Sequence, residues 1–430
     1  MMRTVDVISL GCSKNLVDSE KLLRQFEAAG FTIRHNPHEV SGEIVVVNTC
    51  GFIADAQEES INTILSLGQL KREGRIERLY VMGCLAERFM ADLVAELPEV
   101  DKFYGKFDWP RLLTDLGESY RADLARERVL TTLPHTAYLK ISEGCNRFCA
   151  FCAIPLITGR HTSVPIDALL EESRNLVAKG VKEINVIAQD LSSYGLDLYG
   201  EMRLAELVER MAAIDGLQWI RLHYAYPTQF PWDILPVMAS HDNVCKYLDI
   251  ALQHISDPVL TAMRRHITRE QTLELIDRMR REVPGLHLRT TLMVGFPGEG
   301  EREFEELKDF VRQARFERMG AFAYSEEAGT YAAEHYSDDI PDDVKQARLQ
   351  EIMELQEGIA LEQQEAKVGQ RLCVLIDSDD GEYYVGRTQW DSPEVDPEVL
   401  VRKTRQLTVG EFYDVDIEEA MPFELIGTAK

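Results

Sequence analysis

Nine short apolar runs, most of them rich in β-branched residues, alternate with helix-length segments from the first residues to about position 325. A chain that repeats strand, helix, strand builds parallel sheets whose faces the helices cover. The first three runs, VDVIS, IVVVNT and RLYVMG, are separated by helical stretches at 18–29, 54–73 and 86–96, which predicts a doubly wound α/β sheet. Six further runs follow at 136–142, 181–188, 219–225, 246–252, 287–294 and 319–325. With helices at 166–179, 203–214, 256–264, 269–282 and 301–315, they predict an incomplete (βα)6 barrel of TIM type. Pro165 and Asp257-Pro258 stand where helices should begin. A helix opened by Pro341 and running to about 366 carries Leu349, Ile352, Leu355 and Ile359 on one face, which reads as core.

Beyond that helix the pattern changes. Five short strand-like runs between 371 and 429, separated by turns such as Asp379-Asp380-Gly381, predict a small antiparallel β-barrel. Residues 101–133 are charged and aperiodic and read as a connection. The expected domains are 1–118, 131–364 and 365–430.

Parallel sheets bind ligands outside the carboxyl ends of their strands. Cysteines gather at those ends. Cys145, Cys149 and Cys152 form a C-x3-C-x2-C loop after the first barrel strand, in SEGCNRFCAFCAIP. Three thiolates from one loop suit a soft metal centre. A cubic iron–sulfur cluster held by three cysteines leaves one iron open, whereas a structural zinc site needs a fourth, distant ligand; the spacing alone leaves both readings standing. Phe151 is placed to cover such a centre with its ring. In the first domain Cys12, Cys50 and Cys84 each end a predicted strand. One cysteine there would be packing; three in matching positions predict a second metal centre. Asp18 or Ser19 is the expected N-cap of the first helix, and Asn48 and Thr49 are placed to orient the loop at Cys50. Gln189, Asp190, His223, Tyr224, Gln253 and His254 fall at the barrel's strand ends and Arg289 lies within the fifth strand, as ligand contacts or as internal hydrogen-bonding groups. Cys245 and Cys373 are read as core.

The eight cysteines cluster as metal ligands rather than as a disulfide scaffold, which points to a reducing, cytoplasmic setting. No apolar stretch is long enough to span a membrane, and the N-terminus runs straight into a strand without signal-peptide anatomy. The net charge of −26 argues against direct nucleic-acid binding and would draw basic partners, although solubility alone also accounts for it.

Together, GCSKN, NTCGFI and GCLAER at the three early strand ends, CNRFCAFC in the barrel and the small barrel at the end resemble the methylthiotransferases, a branch of the radical S-adenosylmethionine enzymes. The resemblance covers essentially the whole chain and makes the last barrel TRAM-like. GCSKNLVDSE, GRHTSVP and RLHYAYP are similar to the branch that modifies a ribosomal protein. It implies two [4Fe-4S] clusters, each with three cysteine ligands: Cys145, Cys149 and Cys152 for the one that cleaves S-adenosylmethionine, and Cys12, Cys50 and Cys84 for the one that delivers sulfur. Phe151, Gln189 and Arg289, from their places on the cysteine loop and the barrel strands, are the candidate contacts to S-adenosylmethionine. The implied substrate is an aspartate of small-subunit ribosomal protein number twelve, methylthiolated at its β-carbon, with an electron donor and a sulfur donor as further partners. An aspartate β C–H is too weakly acidic for a side-chain base near neutral pH, which is why radical chemistry fits. TRAM domains generally bind RNA, yet residues 365–430 carry fifteen Asp/Glu against seven Lys/Arg, a surface better matched to a basic protein. Two other readings are methylthiolation of an adenosine in tRNA and a zinc-stabilised, non-catalytic ribosome-binding protein.

Overall fold

The computed structural model describes residues 3–430. Its N-terminal sheet is wholly parallel and has five strands: β1 (Thr4–Ser9), β2 (Thr32–His35), β3 (Ile44–Thr49), β4 (Arg78–Gly83) and β5 (Lys102–Phe103), in the order β2-β1-β3-β4-β5. The three runs read from sequence are its interior strands. The edge strands, TIRH and KF, are only partly buried and so need no continuous apolar run. The chain leaves β1 for β2 on one side, and β3 lies on the other. The crevice at such a reversal is where doubly wound sheets place ligands.

Four helices, α1 (Ser13–Ala28), α2 (Ala54–Arg72), α3 (Cys84–Glu96) and α4 (Trp109–Asp115), pack on this sheet. The first helix begins earlier than its charge pattern suggests. Cys12 is its N-cap residue, so Asp18 and Ser19 lie inside the helix and do not cap it. Asp18 instead pairs with Lys106 at 3.1 Å and with Lys140, and the Ser19 hydroxyl accepts a hydrogen bond from Asn48. The early start follows from Gly11, whose φ of +85° turns the chain at once; a Cβ there would stand 2.5 Å from that of Cys50. Residues 101–133 are likewise not a bare connection. Leu112 and Leu113, on a seven-residue helix too short to show a period, and Leu116 just after it complete a core with Val5, Val7 and Phe26.

The central sheet runs β6 (Thr136–Lys140), β9 (Glu183–Ile187), β10 (Trp219–Ala225), β11 (Val244–Ile250), β12 (His287–Val294) and β13 (Arg318–Ala323), parallel and in sequential order. A small antiparallel pair, β7 (Ser142–Glu143) and β8 (Thr162–Ser163), flanks the loop after β6. The sheet stays open, with its two edges covered from different parts of the chain. Val17 of α1 packs with Tyr138 and Ile187 beside β6. The helix Asp342–Glu365 lies along β13, contributes Ile352 and Ile359 to the barrel core, and donates from Gln356 to the Phe316 carbonyl at 2.9 Å.

The last five strands, β14 (Arg371–Asp379), β15 (Tyr383–Arg387), β16 (Glu398–Arg402), β17 (Phe412–Met421) and β18 (Glu424–Ala429), form a closed barrel. Leu372, Val374 and Ile376 alternate into its core, which turns Cys373 outward. Cys373 is therefore exposed, contrary to its reading as core, whereas Cys245 is fully buried.

A segment of this small barrel, 387–396, seals the amino-terminal end of the central sheet. Arg387 and Arg221 both grip Glu183, at 2.7 and 2.9 Å; Arg318 pairs with Asp391, and the Tyr247 hydroxyl donates to Asp396 at 2.8 Å. Among the described residues no helix is long and apolar enough to cross a membrane.

Candidate active site

The carboxyl ends of the two parallel sheets meet. On the first, Cys12 follows β1 and is exposed, Cys50 follows β3, and Cys84 opens α3 after β4. Glycines let the loops touch. Besides Gly11 against Cys50, a Cβ on Gly51 would stand 2.6 Å from the Leu85 Cα, next to Cys84. Asn15, one helical turn after Cys12, ties the three loops together. Its amide donates to the carbonyls of Thr49 (2.9 Å) and Leu10 (3.2 Å), and its Oδ1 accepts from the Cys84 thiol at 3.5 Å. Asn48 donates to the Asn15 carbonyl, and Ser60 clasps both backbone groups of Cys50. Burial pushes the Cys84 thiol up to about 12 and raises that of Cys50; the Lys106 ammonium works against both.

On the second sheet, the loop carrying Cys145, Cys149 and Cys152 is pinned through its backbone. Cys145 donates to the Gly159 carbonyl, Cys152 to that of Cys149, and Ala150 to that of Met263. Burial pushes Cys145 up to about 12 and raises Cys152 as well. Arg265 donates to the Cys149 sulfur at 3.2 Å, and the Tyr226 hydroxyl stands 3.6 Å from it. The guanidinium groups of Arg265 and Arg147 both lie over the Tyr226 ring, at 4.2 and 4.3 Å from its centroid. All eight cysteines are free thiols.

The two loops abut. Cys84 packs with Ala153 and Ile157, the residue after Cys152 and one from the helix α5 (Ile154–Thr158). Beside this contact Arg88 of α3 reaches Glu327 at 2.7 Å and the Ala328 carbonyl, and Gln57 reaches the same carboxylate. Among the described residues no three His, Cys, Asp or Glu side chains are gathered as ligands of one ion. Thiolates on separate corners of a four-iron cube stand farther apart than the ligands of one ion.

The remaining residues singled out by sequence divide. Phe151 turns inward, its ring edge-on to Phe296 at 6.4 Å. Gln189 donates to Glu143 at 3.0 Å and leaves its own oxygen buried without a partner. Gln253, at φ +71°, likewise buries an unpartnered oxygen, and Asn185 an unpartnered amide nitrogen. Asp190 holds Arg147 at 2.7 Å. Tyr224 lies under the Lys14 ammonium, 3.1 Å from its ring centroid. His223 faces Asn185 at 3.3 Å; burial, with Arg221, Arg289 and Lys14 nearby, holds it neutral, well below its ordinary range. His254 is spent on Glu299 in the core. Arg289 reaches two carboxylates, Asp249 at 3.4 Å and Asp396 of the small barrel at 3.5 Å. Arg265, Tyr226, Asn185 and Lys106 escaped sequence reasoning. Tyr226 lies within RLHYAYP but carries no role there that spacing reveals, the other three belong to no motif, and only folding brings the four to the thiols or the strand ends.

An open parallel barrel with a three-cysteine loop after its first strand defines the radical S-adenosylmethionine class, and the comparisons agree. Residues 139–311 match the Radical SAM superfamily, 4–105 match Uncharacterized protein family UPF0004, and 368–429 match the TRAM domain. The fold resembles that of the radical S-adenosylmethionine methyltransferase TsrM from Kitasatospora setae, solved with cobalamin and a [4Fe-4S] cluster, with a TM-score of 0.58 at 13% identity over 95% of this chain and 80% of that one. Among curated proteins, the ribosomal protein uS12 methylthiotransferase RimO of Parabacteroides distasonis is 63% identical over 98% of both chains. That of Porphyromonas gingivalis is 62% identical over 98% of both, and that of Christiangramia forsetii 50% over 98% of this chain and 93% of its own. This chain belongs to the RimO family of ribosomal protein uS12 methylthiotransferases.

Proposed function

We propose that this chain is a radical S-adenosylmethionine enzyme that methylthiolates the β-carbon of an aspartate in ribosomal protein uS12. The observation that carries this reading is the contact between the two three-cysteine loops, Cys84 against Ala153 and Ile157. The residues that would hold a sulfur group at one centre are thereby brought against the loop that would hold the radical-generating cluster.

The residues suit two clusters and their cosubstrate. Each centre offers three free thiols from loops at sheet ends, two of each three buried. Orphaned polar atoms on Gln189, Gln253 and Asn185 are of the kind a zwitterionic ligand would satisfy. When bound, the clusters and S-adenosylmethionine supply the electron, the carbon radical and the sulfur. Cys145, Cys149 and Cys152 would hold the first cluster, and Cys12, Cys50 and Cys84 the second. Arg265 directs a donor at the Cys149 sulfur, which stabilises its negative charge, and the Tyr226 hydroxyl beside that sulfur donates to the Arg265 carbonyl at 3.2 Å. Phe151 supports the loop through Phe296, and Gln189 has a free acceptor at the strand edge. Arg289, bound by Asp249 and Asp396, fits a role beneath the site better than a direct contact to S-adenosylmethionine.

Three units follow from this reading, 1–118, 131–364 and 365–430, acting in a cytoplasmic setting with an electron donor and a sulfur donor. The acidic small barrel suits a lysine- and arginine-rich protein substrate and disfavours nucleic acid. The tRNA alternative is not favoured, because the relatives are named for uS12.

The test pairs two variants. Cys149→Ala should abolish formation of 5′-deoxyadenosine. Cys50→Ala should retain that cleavage and lose sulfur insertion, read by mass spectrometry of uS12. A Cys50→Ala enzyme that still methylthiolates, or an anaerobically purified protein carrying zinc and no iron, would overturn the assignment.

A further inference from the structure

Lys106 is a buried lysine outside every motif, and it is tied to the Cys84 loop through Asn15. Its ammonium donates to Asp18 at 3.1 Å and to Asn15 Oδ1 at 3.4 Å, the same oxygen that meets the Cys84 thiol. Glu143, at 4.0 Å, is beyond hydrogen-bond reach. An ammonium has three N–H donors, so one remains without a hydrogen-bond partner among the described residues. The other nearby cations are committed elsewhere. Lys140 is held between Asp18 and Glu143, and Lys14 lies on the Tyr224 ring. Lys106 is thus linked to the Cys84 thiol through a single oxygen, Asn15 Oδ1.

Resting on the second centre assigned above, we propose that Lys106 is its positioning residue, a fixed positive charge that retains an anionic sulfur ligand, hydrosulfide or methanethiolate, beside Cys12, Cys50 and Cys84. Three thiolates leave a reduced or sulfide-loaded cluster negative, and in a buried site each further negative charge is costly without a cation nearby. Asp18 and Asn15 aim the ammonium: one carries the compensating charge on the far side, the other bridges to the cysteine. The neutral alternative is that Lys106 merely neutralises Asp18. In that case its loss would weaken every ligand of the cluster alike.

The experiment uses the full chain with Cys145, Cys149 and Cys152 replaced by alanine, so that only the second centre can be loaded. Iron content and the electron paramagnetic resonance signal of the reduced cluster are recorded, and the signal is titrated with sodium methanethiolate and separately with imidazole. Lys106→Met should weaken methanethiolate binding by about tenfold or more, with imidazole unchanged, and Lys106→Arg should recover most of it. Equal methanethiolate affinity with and without the charge, or an equal loss for both ligands, would overturn the inference while leaving the cluster assignment intact. A chain that takes up no iron at this centre would defeat the cluster assignment and the inference together. Should Lys106→Met fail to fold, Asp18→Asn with Lys106→Met removes the stranded carboxylate, and the same comparison applies.

Discussion

Replacing Glu183 with Gln should loosen the small barrel from the floor of the central one. Both carboxylate oxygens of Glu183 are used: Arg221 donates to Oε1 at 2.9 and 3.1 Å, Arg387 to both oxygens at 3.1 and 2.7 Å, and Thr136 to Oε2 at 3.0 Å. Burial alone would raise its pKa, yet Arg387 and Arg221 hold it at about 2, below its ordinary 4.5. By linkage that depression is worth about 3 kcal/mol of stability. Because the folded value is the lower one, the stabilisation is present above pH 4.5 and is lost as pH falls toward 2. A glutamine cannot match both guanidinium groups, and Arg221 loses its one carboxylate. Breaking a buried pair of this kind costs about 3–5 kcal/mol. Unfolding of a chain with several separate cores is not two-state, so a local measurement is needed. Hydrogen exchange in peptides from 371–387, at neutral pH, should quicken by about a hundredfold to a thousandfold. The acid sensitivity of the same peptides between pH 4.5 and 2 should flatten. Exchange within a factor of about three of the parent chain would refute the claim that this ion cluster holds the seam.

Two smaller changes probe the site, and a labelling experiment probes the cysteines outside it. Gly11→Ala would force a methyl group to within 2.5 Å of the Cys50 Cβ at a φ of +85°, so about half the iron per chain should be lost while cleavage of S-adenosylmethionine persists. Arg265→Met removes the donor to the Cys149 sulfur; the first cluster should become harder to reduce and 5′-deoxyadenosine formation should slow by about tenfold or more, measured by redox titration and single-turnover assay. Cys373 should react with a thiol reagent in the folded protein within the mixing time of slow assays, whereas Cys245 should react only on unfolding, as followed by peptide mapping.

Much of the architecture was written locally. Interior strands such as IVVVNT are buried on both faces and declare themselves by composition, as do the alternating strands of the small barrel. The six cysteines could be singled out because strand topology places them at one edge. Legibility failed where structure depends on contacts distant in sequence. Strand β2 and helix α4 are short and partly exposed, so their stability comes from neighbours rather than from a period. The helix start at Ser13 was misplaced because a glycine turn, and not an acidic cap, sets it. Cys373 was misread because apolar neighbours on both sides obscure a period-two alternation. Arg265 and Lys106 sit in stretches with no pattern at all. Their roles arise from being 116 residues from Cys149 and 91 from Asn15 in sequence yet adjacent in space.

Helix α1 has one further consequence. Cys12 caps it, Asn15 bridges to Cys84, Val17 packs beside β6, and Asp18 meets Lys140 at the end of that strand. From Cys12 to Asp18 the helix rises about 9 Å, and each added residue would rotate everything after it by about 100°. The interval between the first sheet's cysteine-bearing edge and the first barrel strand is thus a rigid spacer cut to a fixed length, not a linker with slack. A single-residue insertion between 13 and 17 would throw the two halves out of phase, while one at the exposed stretch 118–123 would only lengthen a surface path. Variation in such a chain is free to reshape the small barrel at the far end of the central sheet, because the gauge between the two cysteine loops is kept by less than two turns of one helix.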